Sequence, residues 1–261
     1  MKKKIKKTAT ANDSSSTFET PKDTSPYIFQ REKISLDLNI RELPWTEKQK
    51  SIIKLFLDKN TKALFLKGVA GTSKTLTAMY CGLQLLNKRR VSDLILVRSA
   101  VESSDAKLGY LPGDIDSKIS VYMTPFQDKF NELLPKPQII ALEKDQRLIS
   151  CPISYARGLH FAAKFVCVDE MQNLSRKEIL LILSRIGEYS KVFLCGDPDQ
   201  SDLPPGRSGF TEAYELFNNE ESRQQGIYCM EFTEEDIVRS EFCKFITQKF
   251  KQLPALISSK H

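Results

Sequence analysis

Histidine is almost missing from this chain of 261 residues, which has only His160 and His261. The six cysteines, at 81, 151, 167, 195, 229 and 243, never fall into a C-x-x-C spacing. Together these shortages argue against a zinc site, which needs clustered thiolates and imidazoles. No run of eighteen apolar residues occurs, so no transmembrane helix and no membrane partner is expected. The cationic start, MKKKIKK, is followed by no apolar stretch and does not read as a secretory signal. Cys167 and Cys195 sit inside apolar runs, where a reduced thiol acts as a small hydrophobe. A reducing, cytoplasmic compartment is the expectation.

Hydrophobic content of 41% and charged content of 28% suit a soluble globular chain large enough to bury one core. Residues 1–26 depart from that composition: six lysines, three acids, two early prolines besides Ser and Thr, and almost nothing to bury. That stretch reads as a disordered tail carrying half of the chain's net charge of +6. Such a tail either adds sequence-independent attraction to nucleic acid or is simply a solvated terminus. The domain proper is expected over 27–261.

Short apolar runs without polar alternation, ALFLK (63–67), DLILVRS (93–99), KFVCVDE (164–170) and KVFLCGD (191–197), read as buried parallel strands, and GIYCMEF (226–232) as a fifth. Helical patterns lie between them. KTLTAMYCGLQLLNK repeats apolar residues at helical spacing, SRKEILLILSRIGEY opens on a capping box of Ser175 and Glu178, and TEEDIVRSEFCKFITQKF on a weaker one of Thr233 and Asp236. A further helical insertion, SKISVYMTPFQDKFNELL, is expected within 103–157. Alternating strands and helices predict an α/β fold with a mostly parallel sheet and helices on both faces. Ligands of such sheets sit at the carboxyl ends of the strands, where this chain has Lys67-Gly68, Asp169-Glu170 and Gly196-Asp197.

The stretch GVAGTSKT, Gly68 to Thr75, follows the first strand and opens the next helix. It matches a phosphate-binding loop, G-x-x-x-x-G-K-S/T, except that Ser73 stands where the second glycine belongs. Gly68, Val69, Ala70, Gly71, Thr72 and Ser73 would present backbone N–H groups to phosphate oxygens. Lys74 would reach the β- and γ-phosphates of ATP, and the Thr75 hydroxyl would ligate Mg²⁺. If Ser73 needs a positive φ, a non-glycine residue there costs roughly 1 kcal/mol.

Downstream, FVCVDEMQN ends an apolar strand in two acids: Asp169 is placed to hold Mg²⁺ and Glu170 to orient an attacking water. In CGDPDQSD, the Gln200 amide can lie beside a γ-phosphate, while Asp197 and Asp202 serve either the site or plain turns. Upstream, Gln49 could contact an adenine edge or be a surface glutamine, and Trp45 could close a base pocket or pack a helix start.

The blocks TEKQKSII, LKGVAGTSKT, LVRSAVESSDAKLGYLPGDIDSK, ARGLHFAAKFVCVDEMQN, GDPDQSDLPPGRSGF and EDIVRSEFCKFI, in this order over about 41–250, resemble the PhoH family of P-loop ATPases. Ser73 and Met171 are the departures from the family pattern. The resemblance implies a RecA-like P-loop NTPase core with superfamily 1 helicase-like motifs, using ATP and Mg²⁺, and an association with RNA in some members. It also marks Arg239, in DIVRSEF, as the candidate cation for the developing charge of phosphoryl transfer, ahead of Arg98, Arg157 and Arg207. Supplied by a neighbouring subunit, Arg239 would require a homo-oligomer, a ring or another assembly. For RNA or other single-stranded nucleic acid, Arg98, Lys107 and the tail lysines could meet phosphates, and Tyr110, Tyr122 and Phe126 could stack on bases or pack the core. Two readings remain at this point: a working ATPase, or a nucleotide-gated binding module whose turnover Ser73 has spoiled.

Overall fold

The computed structural model describes residues 37–99, 115–238 and 241–251. Six strands form one sheet: β1 (Ala63–Gly68), β2 (Asp93–Arg98), β3 (Leu148–Pro152), β4 (Lys164–Asp169), β5 (Lys191–Gly196) and β6 (Ile227–Phe232). Their order is β3-β2-β4-β5-β1-β6 and every pairing is parallel. Five of these strands match the apolar runs of the sequence. The sixth, β3, reads LISCP; a serine in the middle and a proline at its end hide it from a search for apolar runs. Proline is tolerated there because β3 lies at an edge, where an N–H can be spared.

Within each strand the side chains alternate between two cores, as the two-residue period requires. Leu64 and Leu66 of β1 face one cluster, and Ala63 and Phe65 face the other. The first cluster is covered by α1 (Glu47–Leu57), α2 (Lys74–Asn87), α3 (Ile115–Leu133) and α4 (Lys136–Lys144). The second is covered by α5 (Arg176–Leu183) and α6 (Phe210–Phe217). Helices therefore lie on both faces, as predicted. A short α7 (Glu220–Gln224) leads into β6, and α8 (Glu241–Lys251) follows it.

Local chemistry sets these boundaries. Thr46 caps α1 and Ser175 caps α5, each in a reciprocal box with the residue three positions on, Gln49 and Glu178. The Thr233–Asp236 box also forms, but it caps a single 3₁₀ turn, Glu234–Asp236, and not the long helix expected from 233 onward. Among the described residues the next helix is the one over Glu241–Lys251. The predicted insertion is α3, carrying Pro125 within it, and its Phe126 and Phe130 are fully buried. Phe126 therefore packs the core. Cys167 and Cys195 are buried at zero exposure, as small hydrophobes are.

Candidate functional site

The loop between β1 and α2 has an ordered shape that the protein itself fastens. Gly71 takes φ +85° and Ser73 takes φ 60°, ψ 32°, so the position where the motif wants glycine is left-handed here too. Gly68 is fixed by close approach: a Cβ there would come within 2.8 Å of the Phe232 Cβ on β6. The carbonyls of the loop are turned onto partners. Lys74 Nζ donates to the oxygens of Gly68 (2.6 Å) and Val69 (2.9 Å). Thr72 Oγ1 donates to Val69 O at 2.8 Å, Val238 N to Gly71 O at 3.1 Å, and Gln49 Nε2 to Thr72 O at 3.5 Å. With its oxygens so occupied, the loop can offer N–H groups on its other side, together with the N-terminus of α2, to an anion.

Across the carboxyl edge of the sheet, Thr75 Oγ1 donates to Asp169 Oδ1 at 3.0 Å, joining positions 94 residues apart. Burial pushes the Asp169 carboxyl above its ordinary value and the neighbouring Glu170 adds to the push; Arg98 and the Thr75 hydroxyl pull the other way. Asp197, following β5, is likewise pushed up by burial, with Lys74 and the Ala70 N–H opposing. At both acids burial disfavours the charged form by more than the nearby cations and hydrogen bonds offset. A hydroxyl and a carboxylate, both hard oxygen donors, form a set that suits Mg²⁺.

Glu170 is the second non-glycine residue of the site in a left-handed conformation, φ 53°. Its carboxylate is held from two sides, by Arg98 Nη2 at 3.2 Å and by Gln172 Nε2 at 2.5 Å. Strain of this kind persists where the surroundings over-determine it. Gln200 ends the 3₁₀ turn Pro198–Gln200, its N–H bonded to Asp197 O at 3.0 Å and its side chain exposed.

Sequence reasoning passed over Gln172, which is 1% exposed. Its Nε2 donates to Glu170 and its Oε1 accepts from Asp197 N at 3.0 Å, so one amide ties the end of β4 to the end of β5. Next to it, Asn173 and Asp202 bond reciprocally, at 2.9 and 2.7 Å, which gives Asp202 a positioning task. The only signal in the chain was two carboxamides directly after Met171, close behind a pair of acids.

Other candidates lie apart. Gln49 is 3% exposed; its Oε1 accepts from Thr46 N at 3.0 Å, so a contact with a base would require breaking the cap of α1. The Trp45 ring is buried and packs on Tyr80 with centroids 4.9 Å apart. Arg157 and Arg207 are exposed. Arg239, Lys107 and Tyr110 lie outside the described residues, and Tyr122 lies on α3. On the β6 side of the loop a cleft of about 770 Å³ is lined by Gly68, Val69, Asp199, Glu231, Lys244 and Gln248, among others.

A family model described as PhoH-like protein matches residues 42–251. A PhoH-like protein of Mycobacterium tuberculosis is 33% identical over 208 residues, covering 79% of this chain and 57% of the relative. Protein PhoH of Escherichia coli is 34% identical over 190 residues, covering 69% of this chain and 51% of the relative. The chain thus spans a little over half the length of these curated relatives. Among solved structures, a large terminase from a thermophilic bacteriophage aligns with a TM-score of 0.52 at 9% identity, covering 82% of this chain and 52% of that one. At that identity the likeness concerns the fold, and with the parallel sheet and its loop after β1 it makes the fold RecA-like. Among the described residues no helix is long and apolar enough to cross a membrane.

Proposed function

The chain belongs to the PhoH-like protein family, and on that premise we propose that it binds ATP with Mg²⁺ and hydrolyses it, in company with RNA or another single-stranded nucleic acid. The observation that carries the reading is the meeting of Thr75 Oγ1 with Asp169 Oδ1 beside a loop whose lysine is already held at its mouth. In this reading Thr75 and Asp169 hold the metal, which when bound neutralises charge on the β- and γ-phosphates. Lys74 exchanges the Gly68 and Val69 carbonyls for phosphate oxygens. Glu170, steadied by Arg98 and Gln172, accepts a hydrogen bond from the attacking water and aims it. Gln200, exposed at the same edge, senses the terminal phosphate, and Arg239 supplies a cation from a neighbouring subunit. Residues 27–261 form the ATPase unit, residues 1–26 add non-specific attraction to nucleic acid, and the protein works in the cytoplasm as a homo-oligomer.

The test is phosphate release from ATP and Mg²⁺ with and without single-stranded RNA. Turnover that Lys74→Ala abolishes and RNA stimulates is the expected outcome. The left-handed φ of Ser73 favours one rival, a nucleotide-gated binding module with little turnover. Under that rival, wild type is silent and Ser73→Gly restores hydrolysis. Silence in both would overturn the ATPase reading.

A further inference from the structure

The two ends of the sheet differ in charge. At the carboxyl edge, beside the loop after β1, stand Asp169, Glu170, Asp197, Asp199 and Glu231, and the cations that enter from β1, β2 and α2 are already taken. Arg98 is held by Glu170 at 3.2 Å, Lys67 by Glu231 at 2.9 Å, and Lys74 by two carbonyls. At the amino edge, the turns 58–62, 88–92 and 187–190 lead into β1, β2 and β5. They carry five cations, Lys59, Lys62, Lys88, Arg89 and Arg90, against two acids, Asp58 and Glu188. All five cations are exposed. Arg90 Nη1 donates to Leu57 O at 2.8 Å, which sets the turn after α2 against the turn after α1. Val192 N donates to Lys62 O at 2.9 Å, which joins that second turn to the start of β5. Among the described residues, no ion pair or hydrogen bond engages the side chains of Lys59, Lys62, Lys88 and Arg89.

The backbone of this corner is strained at two of its residues. Helix α2 ends in a Schellman turn, with Arg90 N bonded to Leu85 O and Arg89 N to Leu86 O, both at 2.9 Å. Residue 89 of that turn is left-handed, at φ 55°, a conformation that glycine adopts freely and an L side chain does not. Capping the helix therefore calls for glycine, and the chain has arginine. The turn before β5 repeats the feature with Tyr189, at φ 59° and 69% exposed. A bulky residue held left-handed with its ring in solvent gains the fold little packing to offset the strain. The turn before β6, by contrast, has glycine at its left-handed position, Gly226 at φ 83°. Departures from local preference of this kind point to function.

We propose that a single strand of RNA lies on this corner, with its phosphates against Lys59, Lys62, Lys88, Arg89 and Arg90 and a base stacked on Tyr189. Unpaired cations beside an exposed aromatic ring are the two parts of a single-strand surface. RNA held there sits at the end of the sheet opposite the nucleotide, away from the acids of the carboxyl edge that would repel it. The proposal rests on the nucleic-acid part of the reading above and not on hydrolysis.

Fluorescence anisotropy of a labelled single-stranded RNA of about 12 nucleotides, without ATP and over a salt series, tests it. Wild type is expected to bind. Lys59→Gln combined with Lys62→Gln is expected to bind more weakly and to lower the slope of log affinity against log salt by about 1.4, at about 0.7 per phosphate contact. Tyr189→Gly is expected to lose roughly fivefold or more in affinity with the slope unchanged, since stacking carries no charge. Arg89→Gly is expected to lower affinity and slope while melting no lower than wild type, because glycine relieves the turn. Lys177→Gln, which removes an exposed cation at the start of α5 by the other edge, is expected to change neither. A wild type that fails to bind overturns the proposal together with the nucleic-acid part of the reading. A wild type that binds while the corner variants match it overturns the proposal alone, and so does a Lys177→Gln that lowers the slope as much as a corner lysine does. Melting of Arg89→Gly or Tyr189→Gly below wild type also overturns it, since the side chain would then serve the fold. Phosphate release without RNA, on the same samples, reports separately on hydrolysis.

Discussion

Asp169 is a residue kept under conditions it would not choose. Its carboxyl is 8% exposed, lies next to another acid, and gives one of its oxygens to the Thr75 hydroxyl. Burial, then Glu170, raises its pKa above the ordinary 3.8. Within the window between that ordinary value and the raised one, the folded state binds more protons than the unfolded state. Stability therefore falls as pH rises through the window, and the penalty is complete above it. Asp169→Asn keeps an oxygen for Thr75 to donate to and removes the charge. Without metal, at neutral pH, its melting temperature is expected to exceed that of wild type, and the gap should close as pH falls below the window. A lower melting temperature at neutral pH would mean that Arg98 outweighs burial. The residues legible in the sequence, Lys74, Thr75, Asp169 and Glu170, were those whose chemistry is written in adjacent letters. Gln172 was not, because its use appears only when the ends of β4 and β5 lie side by side.

Among the elements, two capping boxes of similar spelling do different amounts of work. Ser175 and Glu178 close the first turn of α5, a helix with Ile179 and Ile182 in the core and Leu180 exposed. Ser175→Ala is expected to cost about 1 kcal/mol, or roughly 2–4 °C in melting temperature for a domain of this size. Thr233 and Asp236 close only a 3₁₀ turn, and Asp236 keeps its 2.6 Å ion pair with Lys48 on α1 when the Thr233 hydroxyl is lost. Thr233→Ala should therefore shift the melt far less than Ser175→Ala; equal shifts would contradict this ranking. The sequence shows a cap, but not how much helix follows it. The reason β3 escaped notice is similar. An edge strand needs fewer apolar side chains than a central one, so its pattern is weaker, and only the pairing of Leu94–Arg98 with Leu148–Pro152 identifies it.

At the scale of the molecule, the loop after β1 is tied to three distant parts of the chain. Gln49 reaches it from α1, the Asp197 carboxyl at the end of β5 feels the Lys74 ammonium and the Ala70 N–H of the loop, and Val238 donates to Gly71 from beyond β6. Lys48 and Asp236 join the first and third of these parts to each other. A loop braced in this way loses little conformational freedom on binding, so most of the interaction with a phosphate chain should appear as added stability of the whole fold. A ligand present at about a hundred times its dissociation constant, and bound only by the folded state, adds about 2.7 kcal/mol. That amounts to a rise of roughly 5–11 °C in the melting temperature of a domain of this size. With ATP and Mg²⁺ the wild type should show such a rise in one cooperative transition, since the braces connect both cores. Lys74→Ala should show little of it, because the lysine closes the mouth of the loop at Gly68 and Val69. An equal rise in Lys74→Ala would move nucleotide binding away from this loop. A rise confined to part of a two-step melt would mean that the braces do not carry the loop's stability into the sheet.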